Sequence, residues 1–165
     1  MNGRTTITGA AMAGSCIGCE IASGSYAGYA GTIYESDRFH AHQDVEIALP
    51  GFIVVSTMRH IASIADFSDA EIEENAKLAV AIRRAQRECG FGNVYLFQNE
   101  DTADHFHTWM FPVYPWMLAF EKGPALLRAA IAELKAGRHG HQLEEVFAIA
   151  AALKNALEVG LGRHL

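Results

Sequence analysis

Residues 94–112 read VYLFQNEDTADHFHTWMFP, and the reading of this stretch decides the fold. Two apolar runs, NVYLF (93–97) and HFHTWMF (105–111), flank the acidic, turn-like segment NEDTAD (99–104). Runs rich in Val, Tyr, Phe and Trp, broken by Asn and Asp, predict two strands joined by a loop. Alternation along an extended strand puts His105, His107 and Trp109 on one face and Phe106, Thr108 and Met110 on the other. The two imidazoles then stand roughly 7 Å apart along the strand, which suits two neighbouring sites better than one shared proton. Taken alone, H-x-H equally describes a strand with two surface histidines.

The rest of the chain narrows the choice. Its 165 residues, half of them hydrophobic, fill one core and are few for two domains. Net charge is −6, with 13 Lys plus Arg scattered rather than clustered, so the footprint of a nucleic-acid binder is absent. No apolar run approaches the ~20 residues that cross a bilayer. The N-terminal MNGRTTITGAAMAGSC is too weakly apolar for a signal peptide and is expected to be a loose tail, residues 1–15, on a cytoplasmic protein. Cys16 and Cys19 form a C-x-x-C. No strand precedes it, and the Gly- and Ser-rich stretch after it forms helix poorly, so metal binding is favoured over thioredoxin-like redox chemistry. Two thiolates leave a tetrahedral zinc two ligands short, and these must come from far along the chain.

GTIYE (31–35) and RFHAH (38–42) are expected to form a hairpin turning at Ser36-Asp37, followed by Asp44 and a β-branched strand, Phe52–Thr57, after the turn Pro50-Gly51. Ser68-Asp-Ala-Glu71 is a capping box opening a helix that Gly90 stops. Leu78, Ile82, Ala85 and Cys89 line its apolar side, which makes Cys89 a small core residue. Two further helices are expected over 124–135 and about 142–158. His139, His141 and His164 fall in loops or at the terminus and read as solvated.

The pattern H-F-H-T-W-M-F closely resembles the histidine-triad motif His-φ-His-φ-His-φ-φ, whose middle histidine, here His107, is the nucleophile. Trp109 stands in the third histidine's place. Upstream, Asp44-x₅-Pro50-Gly51-Phe52-Ile53-Val54-Val55-Ser56-Thr57-Met58-Arg59-His60 is similar to the family's Asp-x₅-Pro-Gly-His-x-Leu-Val-x-Pro-Lys-x-His, with Phe52 for a histidine and Thr57 for the proline. The resemblance covers roughly Cys16 to Pro112 at four anchors in family order. It implies an α+β fold: a HIT-like antiparallel sheet of about five strands with a packed helix over 16–115, and a helical C-terminal extension, 116–165, of the same domain.

By resemblance to the zinc-containing bacterial members, Cys16, Cys19, His60 and His105 hold one structural Zn²⁺. The resemblance also implies attack by His107 on an α-phosphate, giving a nucleotidyl-histidine that water resolves. The substrate it implies is a purine nucleotide derivative, a dinucleoside polyphosphate or a nucleoside phosphoramidate, in a two-fold homodimer. Asp44 would accept hydrogen bonds from ribose hydroxyls and Asn99 would contact ribose or phosphate, although Asp44 equally suits a turn. Three departures favour an alternative, a weak or inactive nucleotide-binding module with a structural zinc. Trp109 offers one indole N–H and no imidazole. The loop after Asn99 lacks the family's phosphate-cradling Gly-x-Ser/Thr-Val, leaving Thr102 as its only hydroxyl. Glu100, Asp101 and Asp104 put negative charge near the phosphate position, with Arg38 and Arg59 the candidates to offset it. A zinc-stapled interaction protein without a nucleotide site is the remaining reading.

Overall fold

A computed structural model describes residues 4–12, 14–25, 29–101 and 104–162. Thr102 and His164 lie outside the described residues. The elements in order are α1 (Ile17–Ala22), β1 (Thr32–Glu35), β2 (Phe39–Gln43), β3 (Ile53–Thr57), α2 (Asp69–Glu88), β4 (Val94–Gln98), β5 (His107–Pro112), α3 (Pro124–Lys135) and α4 (Leu143–Gly162). The five strands form one antiparallel sheet in the order β1-β2-β3-β5-β4. This is the expected α+β architecture. No helix among the described residues is long and apolar enough to cross a membrane.

Both faces of the sheet are covered. On one, Phe39, Ala41, Ile53, Val55 and Met110 meet Leu78, Ile82 and Ala85 of α2 and Ala150, Leu153 and Leu157 of α4. On the other, Val54, Phe52 and Phe111 meet Leu126, Leu127 and Ala130 of α3. Double coverage explains why β2 and β3 are buried at every position rather than alternately. Phe106, 1% exposed, packs into the α2-side core, and burying such a side chain is worth about 1.5–3 kcal/mol. A one-residue slip would forfeit that, so the phenylalanine between the two histidines fixes which face they take.

The helix starts and stops follow their sequence signals. Ser68 Oγ accepts from Glu71 N–H, and Glu71 Oε2 accepts from Ser68 N–H at 2.7 Å, completing the capping box of α2. α3 begins at Pro124 after Gly123. α4 runs to Gly162 rather than stopping before Gly160, because Leu153 and Leu157 hold its last turns on the core. One helix departs from expectation: Cys16 caps α1, six residues long, its Sγ accepting from Cys19 N–H. The Gly-Ser stretch does end that helix, but the C-x-x-C opens it, Cys16 as its cap and Cys19 in its first turn. At the N-terminal end, Thr5 bridges Ala11, and Ile7 N–H donates to the Val45 carbonyl at 2.7 Å.

The Pro50-Gly51 corner ties the two layers. Gly51 has φ +76°, and a Cβ there would come within 2.5 Å of the Phe91 ring, so only glycine fits. Its carbonyl accepts from Gln86 Nε2 at 3.0 Å, and the Pro50 carbonyl accepts from the Tyr114 hydroxyl at 3.0 Å.

Candidate functional site

The sheet register sets out the α3-side face in two rows. His40 of β2 pairs with Ser56 of β3, which pairs with His107 of β5. His42 pairs with Val54, then Trp109, then Phe97 of β4. Between this face and α3 lies a cleft of about 1,210 Å³, with Ser56, His107, Asp44 and Asn99 in its walls.

At one end of the cleft, four side chains converge. The Sγ atoms of Cys16 and Cys19 and the Nδ1 atoms of His60 and His105 all lie within 4.8 Å of one another. The sulfur–nitrogen separations are 3.6 and 3.3 Å from Cys16, and 3.1 and 3.6 Å from Cys19. A tetrahedral ion with bonds of ~2.3 Å to sulfur and ~2.0–2.1 Å to nitrogen sets such edges near ~3.5 Å. The four residues therefore fit a closed Cys₂His₂ centre. His105 Nε2–H donates to the Thr57 carbonyl at 2.8 Å, which leaves Nδ1 as the ligand atom and orients the ring. Burial pushes His105 below the ordinary imidazole range, keeping it neutral and available to a cation. Gly18 explains the second intervening residue of the C-x-x-C. A Cβ there would stand 2.5 Å from His105 Cγ, so the helix turn can approach the ring only without a side chain.

His107 opens β5, two residues on. Its Nδ1–H donates to the His105 carbonyl at 3.0 Å, so the lone pair sits on Nε2. The structure thus divides the two imidazoles: one faces the thiols, the other the cleft. Trp109 packs edge-on against Phe52, ring centroids 5.5 Å apart, and lies 6.0 Å from the His107 ring. Its indole N–H makes no hydrogen bond among the described residues, and it is far too weak an acid to protonate a leaving group, although it can donate a hydrogen bond.

Asp44 forms a turn and also lines the cleft. Oδ1 accepts from the backbone N–H groups of Glu46 and Ile47 at 2.9 and 2.7 Å, building a turn, while the carboxylate also lines the cleft. Burial raises it to about 6 against the pull of those two donors. Asn99 lines the cleft beside Asp101 and Asp104, so the acidic loop does face the site. The two arginines expected to offset it do not. Arg59 is held bidentate by Glu71, at 2.6 and 2.8 Å, and Arg38 by Glu74 at 2.9 Å. Both carboxylates belong to α2, where helix capping and hairpin anchoring claim the guanidinium groups.

Three contributors escaped the sequence reading. His42 is buried with Nδ1 bonded to the Gln43 carbonyl at 2.8 Å, and lines the cleft. The alternation in RFHAH was the signal available, since it puts His40 and His42 on one face. Arg128 and Lys135 enter from α3, and helical periodicity alone does not say what that helix covers.

Neither family models nor curated protein sequences give a match. Solved structures do. A Zn-bound histidine triad family protein from Mycobacterium smegmatis aligns with a TM-score of 0.61 at 21% identity, over 88% of this chain and 94% of that one. A hypothetical histidine triad nucleotide-binding protein from Sulfolobus tokodaii gives 0.62 at 18% identity, over 87% and 93%. The chain has the histidine-triad fold. A HIT-like protein involved in cell-cycle regulation from Bartonella henselae gives 0.60 at 16% identity, over 86% and 96%. At such identities the likeness speaks for the fold, and the chemistry rests on the residues described above.

Proposed function

We propose that the cleft binds a nucleotide with its α-phosphate against His107, and that His107 transfers the nucleotidyl group to water through a nucleotidyl-histidine. The observation that carries this reading is the His107 Nδ1–His105 carbonyl bond, which fixes the neutral tautomer with Nε2 free in the cleft wall. In this reading Asp44 accepts from ribose hydroxyls and Asn99 contacts ribose or phosphate; both line the cleft, and the named function of the Sulfolobus protein, nucleotide binding, is consistent with it.

In this reading Cys16, Cys19, His60 and His105 hold a structural Zn²⁺ that staples α1 to the sheet beside the nucleophile. With all four positions filled by protein, the ion supplies rigidity rather than a bound water. Metal-binding thiols suit a reducing compartment such as the cytoplasm. The expected homodimer is consistent with β4, an edge strand with Leu96 55% exposed.

The test is release of AMP from a diadenosine polyphosphate or adenosine phosphoramidate. Turnover lost in His107→Ala upholds the proposal, and turnover unchanged in that variant contradicts it. A second reading, a nucleotide-binding module without turnover, is favoured by one observation: Trp109 is packed among aromatic rings where the motif has an imidazole. AMP binding with no release of product from any of these substrates would select it.

A further inference from the structure

α1 is held differently from the other helices. None of its six residues is buried, and neither Ile17 nor Ile21 packs into either core, so it lacks the apolar seat of α2, α3 and α4. What fastens it is the cluster at its first turn. Cys16 Sγ lies 3.3 Å from His105 Nδ1, and Cys19 Sγ lies 3.1 Å from His60 Nδ1. Yet α1 forms a wall of the cleft, where Ile17, Gly18 and Ile21 stand beside His105 and His107.

The cluster is also open on one side. His105 is 3% exposed, but His60 is exposed and both cysteines are only half-buried, so a small oxidant reaches the two sulfurs. The thiols are one helical turn apart, which puts their Cα atoms about 5 Å from each other, within the ~4.4–6.8 Å that a disulfide spans. Their Sγ atoms lie within 4.8 Å. The third cysteine, Cys89, has no such neighbour: it caps the C-terminal end of α2 and packs against the core on the opposite face of the sheet.

We infer that Cys16 and Cys19 are a redox switch: a peroxide joins them in a disulfide, which unfastens α1 and takes away one wall of the cleft. This rests on the reading that the four side chains hold Zn²⁺. In the first step one thiolate sulfur attacks a peroxide oxygen. The S–O bond forms, the O–O bond breaks, and hydroxide leaves with the electron pair, giving a sulfenic acid. In the second step the other thiolate forms the S–S bond, the S–O bond breaks, and a second hydroxide leaves. Two protons from solvent turn both hydroxides into water. Each sulfur has lost one electron and the peroxide has gained two. The disulfide no longer offers thiolate ligands, and His60 and His105 alone do not close a tetrahedral centre. Six residues are too few to stay helical unsupported, so the wall at Ile17 and Ile21 is lost with the fastening. A dithiol reductant with Zn²⁺ reverses the change.

The switch is tested on the full chain, purified with its zinc and treated with hydrogen peroxide, with untreated protein as the baseline. A chromogenic chelator reads the zinc, thiol titration and intact mass read the cysteines, and amide hydrogen exchange reads α1. The expected result is release of the zinc as the three free thiols fall to one and the chain loses two hydrogens in mass. Amides of α1 then exchange about tenfold or more faster, while those of α2 are unchanged. Dithiothreitol with Zn²⁺ restores both readings. Cys89→Ser releases zinc as wild type does, its two thiols falling to none. Zinc and three thiols retained under peroxide, a disulfide joining two chains, or α1 amides unmoved once the Cys16–Cys19 bridge has formed overturns the switch while the metal centre stands. A protein that never holds zinc overturns both.

Discussion

In the proposed reaction His107 is prepared by a single hydrogen bond. Its Nδ1–H is spent on the His105 carbonyl, so nucleophilicity resides on Nε2. Replacing it with alanine is expected to lower turnover at least ~10³-fold while AMP affinity changes little, measured by product release and by calorimetry. His42 makes a separate prediction about acid. Burial, with His40 and His107 adding to it, pushes its ring down to about 3 in the folded chain, against an ordinary 6.5. The unfolded chain therefore takes up a proton below pH 6.5 that the folded chain refuses. Folding stability falls as pH drops from about 6.5 towards 3, at about 1.4 kcal/mol per pH unit for this one group. Asp44, raised to about 6, acts in the opposite sense, costing stability as pH rises from 3.8 to about 6. Urea titrations of wild type and His42→Phe separate the two: the variant should lose one proton's worth of acid sensitivity. An identical slope would show that His42 titrates normally. The triad-like histidines were legible in the sequence because Phe106 and Met110 announce which face is core. His42 was not, because its role depends on a neighbour two strands away.

At the level of elements, α1 exists to bring two thiols together. Six residues form a marginal helix alone. Here Cys16 caps it, and Gly18 lets it lie against His105. That explains why propensity argued against a helix at the C-x-x-C while α2 and α3 could be read to within a residue from Ser68, Gly90 and Pro124. The purified protein is expected to hold about one zinc per chain, and Cys16→Ser to lose most of it, by elemental analysis. Chelation should lower the melting midpoint by several degrees, since about 1 kcal/mol shifts it by roughly 2–4 °C at this size. A metal-free protein with an unchanged melting curve would contradict the centre. The start of α2 makes an independent claim. The Arg59 guanidinium holds Glu71 down to about 2, well below the usual 4.5, so its stabilisation is present above pH 4.5 and lost as pH falls towards 2. Glu71→Ala removes the cap's partner and strands Arg59. We expect a loss of about 1–3 kcal/mol in chemical denaturation at neutral pH, and Glu71→Gln should retain part of it.

For the molecule as a whole, the two faces of the sheet differ: one is closed by packing and the other borders a cleft. α2 and α4 close the first. α3 roofs the second and leaves a cleft beside the paired thiols and imidazoles. The strands and helices were readable locally, but which helix covers which face was not, since amphipathic periodicity is the same on either side. That is why Arg128 and Lys135 emerge only from the three-dimensional arrangement, and why Arg38 and Arg59 proved to be committed to α2. The central claim is that adjacent imidazoles of one strand divide their labour, His105 holding a metal and His107 meeting a phosphoryl group. A crystal structure of the zinc-loaded protein with AMP tests it most directly. The expected result is phosphorus about 3–3.5 Å from His107 Nε2, with an ion bound by Cys16, Cys19, His60 and His105. AMP seated away from His107, or His105 Nδ1 not bound to the ion, would contradict it.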